Sequence, residues 1–199
     1  MSAANLLTMA GLITKDPSHN KYSESLKYQM LSIAQRALVR RLHLKFLRNI
    51  TEEASLAFTD SKTDAPTNFF RPVYMEVSGS KLPVDLIEVS DLSLLQNTNF
   101  GGDDESPRYF VYVLSGVTKL KYRATSTEQT VVFYYIKEPT DVSASQDEVV
   151  IGFDNLILDF FKYLFHMAEG QTDLAGQALQ HFESTIDRMN KEAIENGNV

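Results

Sequence analysis

The chain has no cysteine among its 199 residues. That excludes a disulfide framework, a thiolate nucleophile and any Cys-ligated zinc centre, and it suits assembly in a reducing compartment. Met1 to Thr14 lacks a basic stretch ahead of its apolar run, the first lysine being Lys15, so it does not have the pattern of a secretory signal. No long apolar run is free of charge either. The most apolar one, Val149 to Ala168, is interrupted by Asp154, Asn155, Asp159 and Lys162, which a bilayer core would tolerate poorly. Neither secretion nor a membrane partner is expected. Positive charge is also in deficit, with a net charge of −7 and a pI near 5.1, which argues against a sequence-independent nucleic-acid binder. At 22.5 kDa the chain can bury a core without metals or cross-links.

Catalytic motifs are missing as well. The four histidines, His19, His43, His166 and His181, are scattered, and none forms a His-x-x-x-His or another close ligand pair. His166 falls on an apolar helix and reads as a core or edge residue. There is no Gly-x-Gly-x-x-Gly, Walker-type loop or Gly-x-Ser-x-Gly. Asp103, Asp104 and Glu105 offer hard oxygen ligands for calcium or magnesium. They lack the ordered spacing of an EF-hand, however, and read as a solvated acidic loop. Tyr109, Tyr112, Tyr134 and Tyr135 could stack bases, but half of the residues in an alternating strand face a core. No catalytic, metal or cofactor site is assigned, and the chain reads as a structural protein rather than an enzyme.

Charge is segregated along the chain. Lys21 to Arg48 holds seven basic residues against Glu24 alone, whereas Glu52 to Glu105 holds eleven acids against Lys62, Arg71 and Lys81. Like subunits packing opposite surfaces together would use such a distribution. A solvated helix face plus acidic loops would show it too, and both readings stay open.

The periodicity changes twice. Ala3 to Thr14 fits a short helix stopped by Asp16-Pro17-Ser18-His19-Asn20. From Ser23, a plausible N-cap, Leu26, Met30, Ile33 and Ala37 step by helical intervals, with Arg36, Arg40 and Arg41 on other sides. A rough alternation starts at Phe46, Arg48 and Ile50 and resumes over Leu56 to Phe58. Strand-like segments follow at Arg71 to Val77, Asp85 to Ser90, Arg108 to Leu114, Thr118 to Arg123 and Thr130 to Ile136. Ser115-Gly116 reads as a tight hairpin turn. Asn97 to Pro107 reads as a flexible acidic loop. Phe153 to Glu169 is a nearly all-round apolar helix, as buried helices are. Gly170 suits its left-handed C′ position, and Thr172 with Asp173 a cap and start for the next helix. There Ala175, Leu179, Phe182, Ile186, Met189 and Ala193 step 4, 3, 4, 3, 4, and Asn196 to Val199 should fray.

The fold class is therefore α+β: a helical bundle formed from both chain ends, with an inserted antiparallel β module of five or six strands. The boundaries are 1–48 for the N-terminal helices, 49–151 for the β module and 152–199 for the C-terminal helical hairpin.

The order of parts carries a resemblance. Tyr22-Ser23-Glu24 leads into "LKYQMLSIAQRALVRRL"; Lys81-Leu82-Pro83-Val84-Asp85-Leu86 follows in the β-rich middle. The strand "VVFYYIKEP" ends in Glu138-Pro139, and the chain closes on "DNLILDFFKYLFHMAEGQTDLAGQALQHFESTIDRMN". From Tyr22 to Asn190 this resembles the head–tail adaptor (connector) proteins of tailed double-stranded DNA bacteriophages. The resemblance implies a virion protein made in the host cytoplasm and placed at the head–tail junction. It implies a homo-oligomeric ring, commonly a dodecamer, that sits below the portal protein, extends the DNA channel and docks a tail or nozzle protein. DNA would pass without sequence-specific binding. On that reading Arg36, Arg40 and Arg41 face a neighbouring subunit or the portal, and Asp103, Asp104 and Glu105 form a docking loop. The alternatives are a tail-completion or terminator virion protein, and a non-enzymatic nucleic-acid-binding regulator that reads a groove with the Lys21 to Arg48 helix.

Overall fold

The computed structural model describes residues 2–87, 102–125, 128–144, 147 and 153–195. The chain divides into two compact units, one made of 1–50 with 138–199 and the other of 51–137.

The first unit is helical. It contains α1 (Ala3–Ile13), α2 (Glu24–Arg41), α3 (Asp154–Ala168) and α4 (Thr172–Glu195), with two short 3-10 turns at Leu44–Phe46 and Arg48–Ile50. Helix α3 packs on α1, α2 and α4, which is why it is apolar nearly all round: Leu156, Ile157, Phe160, Phe161 and Phe165 are buried on different sides. It ends as its sequence predicts. Gly170 adopts φ +71°, and the amides of Gly170 and Gln171 donate to the carbonyls of Met167 and His166, closing a Schellman motif. The next helix opens one residue earlier than expected, the Ala175 amide donating to the Gln171 carbonyl. The predicted stripe of α4 is the one that packs. Ala175, Phe182, Ile186 and Ala193 are buried and Leu179 and Met189 half-buried, with the Phe182 ring 4.9 Å from Phe160.

For α2 the expected stripe is not the buried one. Ala37 is inside, but Leu26 and Ile33 are 37% and 48% exposed, while Tyr28, Leu31, Ala34 and Leu38 are buried. The reason is three polar residues that hydropathy places outside. Lys27 is fully buried, its Nζ donating to the Asp16 carbonyl (2.6 Å) and Asp16 Oδ2 (3.1 Å). Ser32 Oγ accepts from the Val142 amide (2.8 Å) and Gln35 Nε2 donates to the Thr140 carbonyl (3.1 Å). Buried polar groups with partners are tolerated, and these turn α2 off its hydropathic axis. Ser23 does cap the helix, its Oγ accepting from the Leu26 amide.

The alternation at Phe46, Arg48 and Ile50 is not a strand. These residues lie in the two 3-10 turns, with Leu47 between them almost wholly buried.

The second unit is a two-layer β module. One sheet has the order β1-β7-β3, with β1 (Thr51–Phe58), β3 (Phe69–Val77) and β7 (Gln129–Lys137); the other has β2-β6-β5-β4, with β2 (Lys62–Asp64), β4 (Asp85–Leu86), β5 (Arg108–Leu114) and β6 (Val117–Arg123). Pairing is antiparallel except for β4 with β5, which is parallel. Seven strands are present among the described residues, against five or six expected; β2 is too short to show a pattern, and β1 starts well before Leu56. Residues 88–90 of the expected strand Asp85 to Ser90 and 97–101 of the acidic loop lie outside the described residues, as do 196–199. Ser115-Gly116 joins β5 to β6 with both residues at positive φ, and Asp60-Ser61 joins β1 to β2 in the same way, the geometry that tight hairpins require. Pro72 sits in the edge strand β3 between two register shifts, where a missing N–H breaks little. Phe58, Met75, Tyr109, Leu120, Tyr122 and Phe133 fill the space between the sheets.

Candidate interaction surfaces

The three arginines predicted as contacts share the last turns of α2 but not one environment. Arg36 pairs with two acids that follow β7, at 3.1 Å from Glu138 and 2.7 Å from Asp141. It borders an open groove of about 430 Å³ lined also by Tyr28, Gln29, Ile33 and Val142. Arg41 lies 3.7 Å from Glu183 of α4 and over the rings of Phe160 and Phe182, at 5.9 and 5.7 Å. Arg40 is exposed. Both Arg40 and Arg41 stand in the last turn, where the helix dipole favours cations.

The acidic loop is tied where it is described. Asp103 Oδ1 accepts from the amides of Glu105 (3.0 Å) and Ser106 (2.7 Å), an Asx-turn. Gly102 has φ +84°, and a Cβ there would stand 2.8 Å from the Arg123 carbonyl, so the loop is pinned to the end of β6 by a glycine nothing else can replace. Asp104 and Glu105 are exposed. Among the described residues no three His, Asp or Glu side chains converge as metal ligands would. His166 is half-buried, with Nδ1 2.7 Å from Gln171 Oε1.

Sequence reasoning missed the outer faces of the β module. Strand register puts Lys119, Lys121 and Arg123 on one face of β6. Lys62 stands opposite Lys121, and Arg108 opposite Arg123. Phe110 and Tyr112 lie in the same rows, with Lys121 Nζ 5.9 Å from the Phe110 ring centroid. Burial, followed by the charges of Arg123 and Lys62, holds the Lys121 ammonium below its usual range. Among the described strand residues, the acids of this face are Asp64, paired to Lys119, and Asp85, opposite Arg108. The outer face of the other sheet is of opposite character. Glu53, Tyr134 and Tyr74 share one row and Ser55, Val132 and Glu76 the next. The two tyrosine rings lie 6.0 Å apart. Burial, then the charges of Glu53 and Glu76, push the Tyr134 hydroxyl up. The alternation of "KLKYR" over 119–123 was the available signal for the basic face; it was submerged in an acidic chain.

The architecture is a helical unit drawn from both chain ends and a β module inserted between them in sequence. In the comparison with protein families, the SU10 adaptor protein family matches residues 1–198. The chain belongs to that family. No curated protein matches it. As an SU10 adaptor it is a structural phage protein of the virion, and it works by contact with other virion proteins. Among the described residues of this adaptor no helix is long and apolar enough to cross a membrane.

Proposed function

We propose that the protein forms a homo-oligomeric ring, commonly of twelve copies, at the head–tail junction, below the portal protein. The ring extends the DNA channel and docks a tail or nozzle component, without catalysis. The observation that carries this reading is the family match along 1–198. One feature of the chain supports it. A closed ring needs two different complementary faces on each subunit, and the protein carries surfaces of both charges. The alternative of α2 as a groove reader has little to recommend it: its 18 residues include nine buried ones, and Arg36 and Arg41 are matched by acids of their own unit. In the ring, Arg40 and the outward edges of Arg36 and Arg41 meet a neighbouring subunit or the portal, and Asp104 and Glu105 meet the docking partner.

The test is genetic. Particles made without this protein should be DNA-filled heads that lack tails, with tails assembled separately. Tailed, infective particles made in its absence would refute the reading.

A further inference from the structure

The two edges of the sheet β1-β7-β3 are finished differently. Along β3 the ladder shifts register on both sides of Arg71-Pro72, and the outer side is already taken. There the Val77 amide donates to the Leu82 carbonyl at 2.8 Å, and the Val84 amide to the Met75 carbonyl at 2.9 Å. Along β1 none of these devices is present. Its sequence TEEASLAF has neither proline nor lysine, and its register with β7 is unbroken from Thr51 to Phe58. Regular edges of this kind are templates for an added strand, which is why proteins usually blunt them.

The direction of the backbone groups on β1 follows from the far side of β7. The Ser78 amide donates to the Thr130 carbonyl, so Thr130 and, by the alternation of an antiparallel ladder, Val132 turn their backbone groups to β3. Val131 and Phe133 turn theirs to β1, at Leu56 and Ala54. The N–H and C=O groups of Glu53, Ser55 and Ala57 therefore point to the opposite side, and all three residues are exposed. Among the described residues no backbone group meets them there. The hairpin to β2 closes that side only at Thr59, which bonds with Lys62 in both directions. Ala54 and Leu56 pack against the core from this last strand, but are only half-buried.

We propose that an extended segment of another virion protein adds a strand to this sheet along Glu53 to Ala57. Main-chain bonds to the edge hold such a segment, and its alternate side chains set which segment fits. Its apolar side chains cover Ala54 and Leu56, and a basic one stands beside Glu53, since opposite charges across strands stabilise a pair. A second copy does not fit the edge as a ring contact: its own β3 is covered by Leu82–Val84, and β1 against β1 closes a two-fold pair that admits no third copy. This deepens the docking reading above and rests on it, by naming the chemistry of what docks.

The test is amide hydrogen exchange, read residue by residue, on the full chain alone and on intact virions. In the free chain at high concentration the amides of Glu53, Ser55 and Ala57 should exchange about a hundred-fold faster than those of Ala54 and Leu56, which are bonded to β7. In the virion they should slow by about ten-fold or more. A genetically encoded benzophenone at Ala57, irradiated in the virion, should cross-link to a different protein. In the phage, Ser55→Pro should cut the yield of infective particles about ten-fold or more, because proline removes a donor and blocks the ladder, whereas Ser55→Thr should not. A thermal melt checks that Ser55→Pro is folded; if it is not, exchange and cross-linking decide. Exchange unchanged in the virion overturns the proposal. So does protection already present in the free chain, or a cross-link to a second copy of this chain. A ring at the head–tail junction with β1 still exchanging fast would sink the strand addition alone, whereas protection of β1 in a particle that carries the chain elsewhere would sink the ring reading alone.

Discussion

At the scale of single residues, side chains that fasten one distant backbone segment to another hold the helical unit. Asn190 of α4 is the plainest case. Its Oδ1 accepts from the His43 amide and its Nδ2 donates to the Arg41 carbonyl, both at 2.8 Å. It thus serves the end of α2, where carbonyls lack intrahelical partners. Asn190→Ala should destabilise the protein by about 1–2 kcal/mol in denaturant unfolding, the cost of leaving such groups short of a partner. Asp16 does comparable work at the other end of α2, accepting from Lys27 Nζ and from the amides of Asn20, Lys21 and Tyr22. Burial pushes its carboxyl up, but the hydrogen bonds from Lys27, Lys21 and Asn20 outweigh that and hold it below its ordinary 3.8. A carboxyl lowered in the folded state contributes stability above the unfolded pKa, and that contribution is lost as pH falls through the folded one. The stability gap between wild type and Asp16→Asn should therefore be full at pH 6 and shrink below about pH 4; a gap constant down to pH 2.5 would contradict the assignment. Lys27→Met should lower the melting temperature far more than Lys21→Met, because the Lys21–Glu169 pair is exposed and such pairs contribute little. None of this was legible in the sequence. Hydropathy sends Lys27, Ser32 and Gln35 to the surface, and no local pattern reveals their partners, the Asp16 carboxylate and backbone groups of Asp16, Thr140 and Val142.

At the scale of elements, legibility followed how much of each element's burial is apolar. Helix α4 buries only an apolar stripe, so its 4, 3, 4, 3, 4 spacing identified the inward face. Phe182, fully buried against Phe160, should cost about 3–5 kcal/mol when replaced by Ala, read from the same denaturant curves. Helix α2 mixes apolar and polar burial, and its inward face was misread for that reason. Strands β5, β6 and β7 run over seven to nine residues rich in Val, Tyr and other β-formers, and their expected bounds lie within a residue of the observed ones. The three-residue β2 carries no period at all. Its turn carried a signal of a subtler kind, because Asp60 and Ser61 both sit at positive φ, 50° and 63°, where glycine is unstrained. Ser61→Gly should stabilise the protein by about 1 kcal/mol, whereas Gly116→Ala, at φ +79°, should weaken the β5–β6 turn by a similar amount. Thermal melts of the two variants should shift in opposite directions.

At the scale of the whole molecule, the linear segregation of charge proved a poor guide to surfaces. Much of the basic segment is matched within its own unit, Lys27 by Asp16, Arg36 by Glu138 and Asp141, and Arg41 by Glu183. The sharpest separation of charge lies on the β module, where alternation within strands sorts residues that are mixed along the chain. The α+β class and the adaptor resemblance were legible because they depend on the order of elements, which the sequence displays. The faces were not, because they depend on strand pairing between segments far apart in the chain.

Cryo-electron microscopy of the virion, at the vertex where the tail joins, tests the ring at the head–tail junction. Density for this chain should form a closed ring around the DNA channel, in contact with the portal on one side and a tail component on the other. Density for the chain elsewhere in the particle, or none at all, would contradict it.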